Sequence, residues 1–334
     1  MVETRTAQRV PTTASTRSRL AAVATRYGVG TFTGHLRTDA AGVRLSRRTI
    51  AALMRAFGST PSGTTVEKID ERTRPDDGPV RGEWVYGPGA DRASRRVIYF
   101  LHGSAYMMCS PSTHRSFAAR LSAITGLPVF VLDYRLAPEF RFPAAADDVD
   151  AGWDWLVGHG YEPSDIVVAG DSAGGHLAST FILNRAAAQQ TLPAGVVLFS
   201  PVIDLTFGLA AQRERVRRDP MITAANARGL VELYTVGADM SDPRLTLDYA
   251  GAADCPPVLV QAGGAEMLQA DARHFASCFA AQGGEVTTEI WPGQMHVFQA
   301  LPRLGPEPDA ALLRVRDFIT DALDSRRTVQ GATS

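Results

Sequence analysis

The sequence predicts an α/β protein built on one mainly parallel sheet of about eight strands, with helices on both faces. Near-continuous apolar runs at 97–101 and 128–132 are typical of strands that are buried on both sides. These runs alternate along the chain with longer stretches that have helical spacing, which indicates repeated strand–helix units. A length of 334 residues suits a single α/β domain with a large core.

The early strands are predicted to form an antiparallel edge, because residues 66–70 and 80–86 alternate apolar and polar side chains across a turn. The later predicted strands are 97–101, 128–132, 166–169, 196–199, 258–260 and 286–291. The predicted helices are 49–57, 114–125, 144–158, the stretch after Gly175, a run around 226–235, 268–282 and 308–323.

Net charge, apolar run length and cysteine count limit the classes of binding partner and the cellular location that we expect. A formal net charge of -1 gives no global reason to expect nucleic acid or an anionic membrane as partner. There is no run of 18 apolar residues, so no membrane-spanning segment is expected. The three cysteines are an odd number and no Cys/His cluster has metal-ligand spacing, so we expect a reducing, cytoplasmic location and no metal site.

The turn Gly170–Gly175 follows a short apolar strand and precedes an alanine-rich helix. Its Gly-Asp-Ser-Ala-Gly-Gly sequence has the G-x-S-x-G pattern of a nucleophile elbow. Glycines two residues before and after Ser172 allow the strand and the helix to approach each other closely. The alternative is an ordinary loop in which Asp171 or Ser172 caps the helix, and the pattern alone does not decide between them.

A serine nucleophile needs a base, and a carboxylate that orients the base, in the chain order serine, acid, histidine. His296 lies in the loop after the last strand, at the sheet edge of the elbow, and is the predicted base. Late in the chain the other histidine is His274, inside a predicted helix. Glu266, in the loop after 258–260, is the predicted acid, and Asp271 is the alternative acid.

The residues after strand 97–101 are predicted to complete the site. Backbone N–H groups of Gly103 and Ser104, with that of Ala173, would converge on an oxyanion. His102 is expected to form structural hydrogen bonds. The residues expected to line the substrate pocket are Ala105, Tyr106 and Val297.

Four motifs together make the sequence resemble the hormone-sensitive lipase-like (bacterial family IV) carboxylesterases of the α/β-hydrolase fold. They are His102–Tyr106, Asp133–Glu139 with Phe142–Ala145, Gly170–Gly175 and Gly293–Phe298. The resemblance covers residues 60–322. It implies a helical cap, no cofactor, a small ester as substrate and, as in many members of the family, a homodimer. It also implies supporting roles for Asp171 and for Arg135 and Glu139, which we expect to form a buried charge pair.

Two departures from the family pattern concern the site itself. Ser104 and Ala105 stand where the family has glycine, and Glu266 stands where the family has aspartate. Backbone N–H groups survive either change, but Ser104 adds a hydroxyl beside the expected acyl pocket. Glutamate can orient a histidine with one more methylene than aspartate has.

Segment 206–250 interrupts the strand–helix alternation and is far longer than a strand–helix connection requires. It is predicted to be a cap over the strand ends, and its basic run Arg213–Arg218 to be a solvated face, with binding of an acidic group as the alternative. The predicted divisions are a disordered tail at 1–15, an N-terminal helical part of the cap at 16–58, the catalytic domain at 59–205 and 251–323, the cap insertion at 206–250 and a frayed tail at 324–334.

The predicted function is hydrolysis of short- to medium-chain or small apolar carboxylic esters through a seryl acyl-enzyme. Two alternatives stay open at this point. One is a non-catalytic small-molecule receptor on the same fold. The other is an amide or lactone hydrolase, or an acyltransferase, that uses the same triad.

Overall fold

The computed structural model describes residues 9–27, 40–71 and 79–331. Within these ranges the chain forms nine α-helices and a single sheet of eight strands. The predicted α/β fold class, with a mainly parallel sheet covered by helices, is confirmed.

The sheet has the strand order β1-β2-β4-β3-β5-β6-β7-β8. Its strands are β1 Thr65–Glu71, β2 Val80–Tyr86, β3 Val97–Leu101, β4 Val129–Leu132, β5 Ile166–Asp171, β6 Gly195–Phe199, β7 Val258–Gly263 and β8 Val286–Trp291. Strands β1 and β2 pair antiparallel, and β2 pairs antiparallel with β4, whereas all other neighbours are parallel. The predicted antiparallel edge is therefore at β1 and β2.

Seven of the nine helices overlap the predicted ones, whereas those that begin at Thr16 and Gly208 correspond to no individually predicted helix. The helices are α1 Thr16–Tyr27, α2 Ala40–Phe57, α3 Pro111–Thr125, α4 Ala144–Gly158, α5 Ala173–Ala187, α6 Gly208–Val216, α7 Ala224–Thr235, α8 Gln269–Ala281 and α9 Glu307–Gly331. The last helix continues to Gly331, into the segment that the sequence predicted to be a frayed tail. Residues 1–8 of the predicted N-terminal tail lie outside the described ranges.

Two apolar layers hold the sheet between helices. On β3, Tyr99 and Leu101 face one layer while Ile98 and Phe100 face the other, because successive strand side chains alternate between the two faces. Every residue of β3, β5 and β6 is buried. Parallel strands end at a common edge, so the segments that follow β3, β5, β6 and β7 meet there, and this is where an α/β site forms.

Both predicted cap segments are joined to the sheet domain. Ser18 of α1 donates a hydrogen bond from its hydroxyl to Glu307 at 2.6 Å, and the Ser15 amide donates to the same carboxylate at 2.7 Å. In the cap insertion, defined as residues 206–250, Tyr234 of α7 stacks on Tyr106 with ring centroids 4.2 Å apart.

None of the helices in the described ranges is long and apolar enough to cross a membrane. The cytoplasmic location and the homodimer stay predictions.

Candidate active site

The turn between β5 and α5 holds Ser172 in a strained backbone conformation, with φ 53° and ψ −117°. A Cβ on Gly170 would lie 2.4 Å from the carbonyl oxygen of Gly174, and a Cβ on Gly174 would lie 2.0 Å from that of Leu101. The two glycines are therefore sterically required where the strand and helix approach each other. The strain presents the Ser172 hydroxyl at the carboxyl edge of the sheet.

Three side chains from distant parts of the chain form one hydrogen-bonded line. His296 Nε2 lies 3.0 Å from Ser172 Oγ, and His296 Nδ1 lies 2.6 Å from Glu266 Oε2. A carboxylate only accepts hydrogen bonds, so Nδ1 carries the proton and Nε2 is left to accept from the serine hydroxyl. This arrangement can activate the serine as a nucleophile.

Glu266 is fully enclosed, and its second oxygen is also bound. Oε1 accepts from the Ser200 hydroxyl at 2.7 Å and from the Gly263 amide at 2.5 Å. Ser200 Oγ in turn accepts from the Val297 amide at 3.0 Å, next to His296. Ser200 therefore connects the acid to residues 292–297, the loop that carries His296 and is called the histidine loop below. Ser200 is not among the predicted site residues, although it directly follows β6 at the same sheet edge as the elbow.

The environment of His296 has opposing effects on its pKa. Burial disfavours the imidazolium form and lowers the pKa, whereas the hydrogen bond and the negative charge of Glu266 raise it. Asp219 and Asp171 add to the raising effect, and the net pKa lies above the ordinary value of 6.5. A stabilised imidazolium favours proton transfer from the serine hydroxyl.

Asp271, the alternative acid, binds backbone amides after β6 and not the imidazole. Its Oδ1 accepts from the backbone amides of Ile203 and Asp204, at 2.9 and 3.0 Å. Burial raises its pKa to about 7. Asp271 therefore supports the loop after β6, and the carboxylate in contact with His296 is Glu266.

The segment after β3 differs from the prediction at Gly103. Its amide donates to Asp171 Oδ1 at 3.0 Å, so it is not directed at an oxyanion. Ser104, Ala105 and Tyr106 follow with φ of 84°, 55° and 60°, a left-handed conformation that favours glycine. Within the described residues the amides of Ser104, Ala105 and Ala173 have no hydrogen-bond partner.

A buried polar cluster lies behind this loop. Asp171 Oδ1 is 3.3 Å from His114 Nε2, and Cys109 Sγ is 3.0 Å from Ser104 Oγ. Burial lowers the pKa of His114, but the Asp171 charge and hydrogen bond outweigh it, so the pKa is raised to about 10. His102 Nδ1 lies 3.1 Å from the Gly103 carbonyl oxygen. Burial lowers the pKa of His102 to about 3, so this ring is neutral.

The predicted buried pair between Arg135 and Glu139 is wrong. Arg135 Nη2 lies 2.7 Å from Asp148, and Glu139 lies 2.7 Å from Arg47 Nη2. The reason is local: the two residues are four apart in a non-helical turn, so their side chains diverge toward different helices. Both pairs are partly exposed.

Two of the three predicted pocket residues are covered. Tyr106 is fully buried, face to face with Tyr234, and its ring edge contacts His176. Val297 is also buried, and its amide is bound to Ser200. Ala105 is partly exposed. For metals, the described residues contain no group of three or more His, Cys, Asp or Glu that could hold an ion.

Exchanging each candidate acid for its amide separates their roles. Glu266→Gln should lower kcat about 10²- to 10⁴-fold, because the imidazole loses the carboxylate that fixes its tautomer and stabilises its charge. Asp271→Asn should change kcat by less than about threefold, since the amide oxygen still accepts from the two backbone N–H groups. Steady-state kinetics on one ester measures both. A large loss in Asp271→Asn alone would assign the acid to Asp271.

The comparisons with known proteins agree with this geometry. Residues 98–300 match a family model described as alpha/beta hydrolase fold. The carboxylesterase/phospholipase LipF of Mycobacterium tuberculosis is 35% identical over 271 residues, which are 75% of this chain and 71% of that protein. An acetyl-hydrolase of Streptomyces hygroscopicus is 34% identical over 245 residues, 73% of this chain and 81% of that protein. The chain belongs to the α/β-hydrolase family.

Solved structures of this family place the chain among its esterases. A crystal structure of an esterase from the bacterial hormone-sensitive lipase family has a TM-score of 0.80 and 28% identity, covering 93% of this chain and 99% of that one. The resemblance inferred from the four motifs is confirmed, as is the predicted enzyme class of carboxylesterase-like hydrolase.

Proposed function

We propose that this hydrolase cleaves small carboxylic esters through a seryl acyl-enzyme, with Ser172 as nucleophile, His296 as base and Glu266 as the acid that orients it. The observation that carries the proposal is the continuous hydrogen-bonded line from Ser172 Oγ through His296 to Glu266. The shape of the Ser172 turn, which holds the hydroxyl at a helix N-terminus, supports it.

In the proposed reaction Ser172 Oγ attacks the ester carbonyl while His296 Nε2 takes its proton. The tetrahedral oxyanion is held by the backbone amides of Ser104, Ala105 and Ala173, which replaces the predicted set that included Gly103. His296 then gives the proton to the leaving alcohol, and the acyl group stays on Ser172. Water repeats the sequence: it loses a proton to His296, attacks the acyl carbon and releases the carboxylic acid and the free serine.

We infer a preference for short acyl groups. Ser172 itself is 7% exposed, and the Tyr106–Tyr234 stack lies immediately beside the oxyanion loop. A covered nucleophile leaves little room for a long chain in its vicinity. The similarity to an acetyl-hydrolase supports the same substrate class.

The proposal is tested with p-nitrophenyl esters from acetate to palmitate, with matched amides and lactones as controls. We expect kcat/KM to be highest for acyl chains of about two to six carbons and at least about tenfold lower for the amides. Because neutral His296 is the active form and its pKa is raised, kcat/KM should fall with decreasing pH, with a midpoint above 6.5. Higher activity on the amide or lactone series would reassign the substrate class.

A further inference from the structure

A buried carboxylate links the cap insertion to the loop that carries Glu266. Asp219 lies between α6 and α7, is 4% exposed, and accepts hydrogen bonds only from backbone amides in the described structure. Oδ1 accepts from Met221 at 2.7 Å and from Ile222 at 3.3 Å, both within the cap. Oδ2 accepts from Met267 at 2.8 Å, across 48 residues of sequence.

Met267 is the residue directly after Glu266, so the hydrogen bond that its amide donates to Asp219 holds the peptide group that joins it to the acid. Among the described residues, one other hydrogen bond joins the loop 264–268 to the cap insertion. It is the bond from Arg213 Nη2 to the Gly264 carbonyl oxygen, and at 3.5 Å it is at the outer limit of a hydrogen bond. On its other side the loop is bound to the histidine loop, because the Ala265 amide donates to Gln294 at 2.9 Å. Asp219 therefore holds the side of the acid loop that faces the cap.

The charge of Asp219 also affects the triad. The titratable groups that face it are Glu266 and His296. Burial raises the pKa of Asp219 to about 6, the amides of Met221 and Met267 lower it, the Glu266 charge raises it and His296 lowers it. Reciprocally, the Asp219 charge is one of the effects that raise the pKa of His296, alongside Glu266 and Asp171.

We propose that Asp219 is a positioning residue for catalysis, which fixes the backbone beside Glu266 and adds a negative charge to those that stabilise the His296 imidazolium. The inference rests on the proposed esterase mechanism. Asp219 does not touch substrate in this account; it acts through Glu266 and His296. Asp219, a residue of the cap insertion, thus helps to set the basicity of His296.

The first test is Asp219→Asn, which preserves the shape of the side chain and removes its negative charge. Because an amide has one oxygen, either the Met267 N–H or the N–H groups of Met221 and Ile222 lose their acceptor. Its matched control is Asp239→Asn, because Asp239 is an exposed cap aspartate that accepts from the Ser241 amide at 2.9 Å. Active sites are titrated with a fluorophosphonate, and kcat is expressed per titrated site. We expect kcat to fall roughly tenfold in Asp219→Asn with KM within about twofold, and no change in the control.

The pH dependence of kcat/KM in the Asp219 variants shows whether Asp219 acts on His296 or only supports the fold. In Asp219→Asn the acidic midpoint of kcat/KM should move to lower pH, because His296 loses a negative neighbour. In Asp219→Glu the charge is retained on a longer side chain, so the midpoint should stay near that of wild type while kcat falls.

An unchanged kcat and midpoint in Asp219→Asn would overturn the proposal, and so would a loss of thermal stability with normal kcat per titrated site. Loss of titratable sites in both Asp219 variants, with the control intact, would also overturn it, since a positioning residue must leave a folded enzyme. Failure of the proposed function is distinguishable, because wild type itself would then show no ester hydrolysis and no fluorophosphonate adduct at Ser172.

Discussion

Ser172→Ala should lower kcat for ester hydrolysis by about 10⁴- to 10⁶-fold, the largest effect expected of any single substitution in this chain. Alanine removes the only atom that forms the acyl-enzyme, while the oxyanion amides and the bound His296 stay in place. KM should change by less than about threefold, because the serine hydroxyl adds little to ground-state binding. Steady-state kinetics on p-nitrophenyl butyrate measures both values.

Two checks make this result specific. Ser325→Ala is the matched control, since Ser325 is an exposed serine on α9 whose hydroxyl donates to the Asp321 carbonyl oxygen, and we expect wild-type activity. The thermal midpoint of Ser172→Ala should equal or exceed that of wild type, because alanine carries no buried hydroxyl. Residual activity above about 1% of wild type, in protein free of contaminating esterase, would contradict the assignment.

Gly174→Ala should destabilise the protein by about 3 kcal/mol and lower kcat at least about 100-fold. The added Cβ would lie 2.0 Å from the Leu101 carbonyl oxygen and 2.7 Å from that of His102. Both contacts are with backbone, so β3 and α5 must move apart. That movement separates the Ala173 amide from the amides of Ser104 and Ala105, and the oxyanion site opens. Urea denaturation and steady-state kinetics measure the two effects.

The control for a general glycine effect is Gly229→Ala. Gly229 lies within α7, and a Cβ there meets no atom within 4 Å. Helix propensity predicts that this variant gains up to about 1 kcal/mol in free energy of unfolding and keeps wild-type kcat. If Gly174→Ala behaved like Gly229→Ala, the close approach of β3 and α5 would not be needed for activity.

Local patterns in the sequence predicted much of the fold and the site. Apolar runs predict the central strands, because a strand buried on both faces has a distinctive composition, and alternation of apolar and polar residues predicts β1 and β2 at the edge. The G-x-S-x-G turn and two polar residues after late strands predicted Ser172, Glu266 and His296. Parallel strands end at one edge, so residues far apart in sequence could be placed together without knowing any tertiary contact.

The rest depended on long-range contacts that no local pattern encodes. Arg47 and Glu139 pair across 92 residues, and Asp219 binds the Met267 amide across 48. Gly103 was misassigned because which amides of a loop are free depends on where Asp171 lies. Tertiary packing determines these hydrogen-bond partners. In the sequence alone, each charged residue is equally consistent with a solvated side chain, and the Gly103 amide with an ordinary loop amide.

Ser104 and Ala105 replace the glycines that the family has at these positions, and the replacement costs conformational free energy. A residue with a side chain in the left-handed conformation costs about 1 kcal/mol relative to glycine, and both residues are in that conformation. The Ser104 hydroxyl contacts Cys109 Sγ at 3.0 Å, so its side chain is held in place beside the amides proposed to bind the oxyanion. The loop therefore retains fixed backbone donors despite the loss of the usual glycines.

Mass spectrometry of the protein after reaction with a fluorophosphonate tests the central claim, that Ser172 is the catalytic nucleophile, most directly. If Ser172 is the nucleophile, we expect one adduct per chain, located by peptide mapping on Ser172, with ester hydrolysis lost in proportion to labelling. We also expect no adduct on Ser172→Ala and much slower labelling of Glu266→Gln. An adduct on another residue, or full ester hydrolysis by protein labelled at Ser172, would contradict the claim.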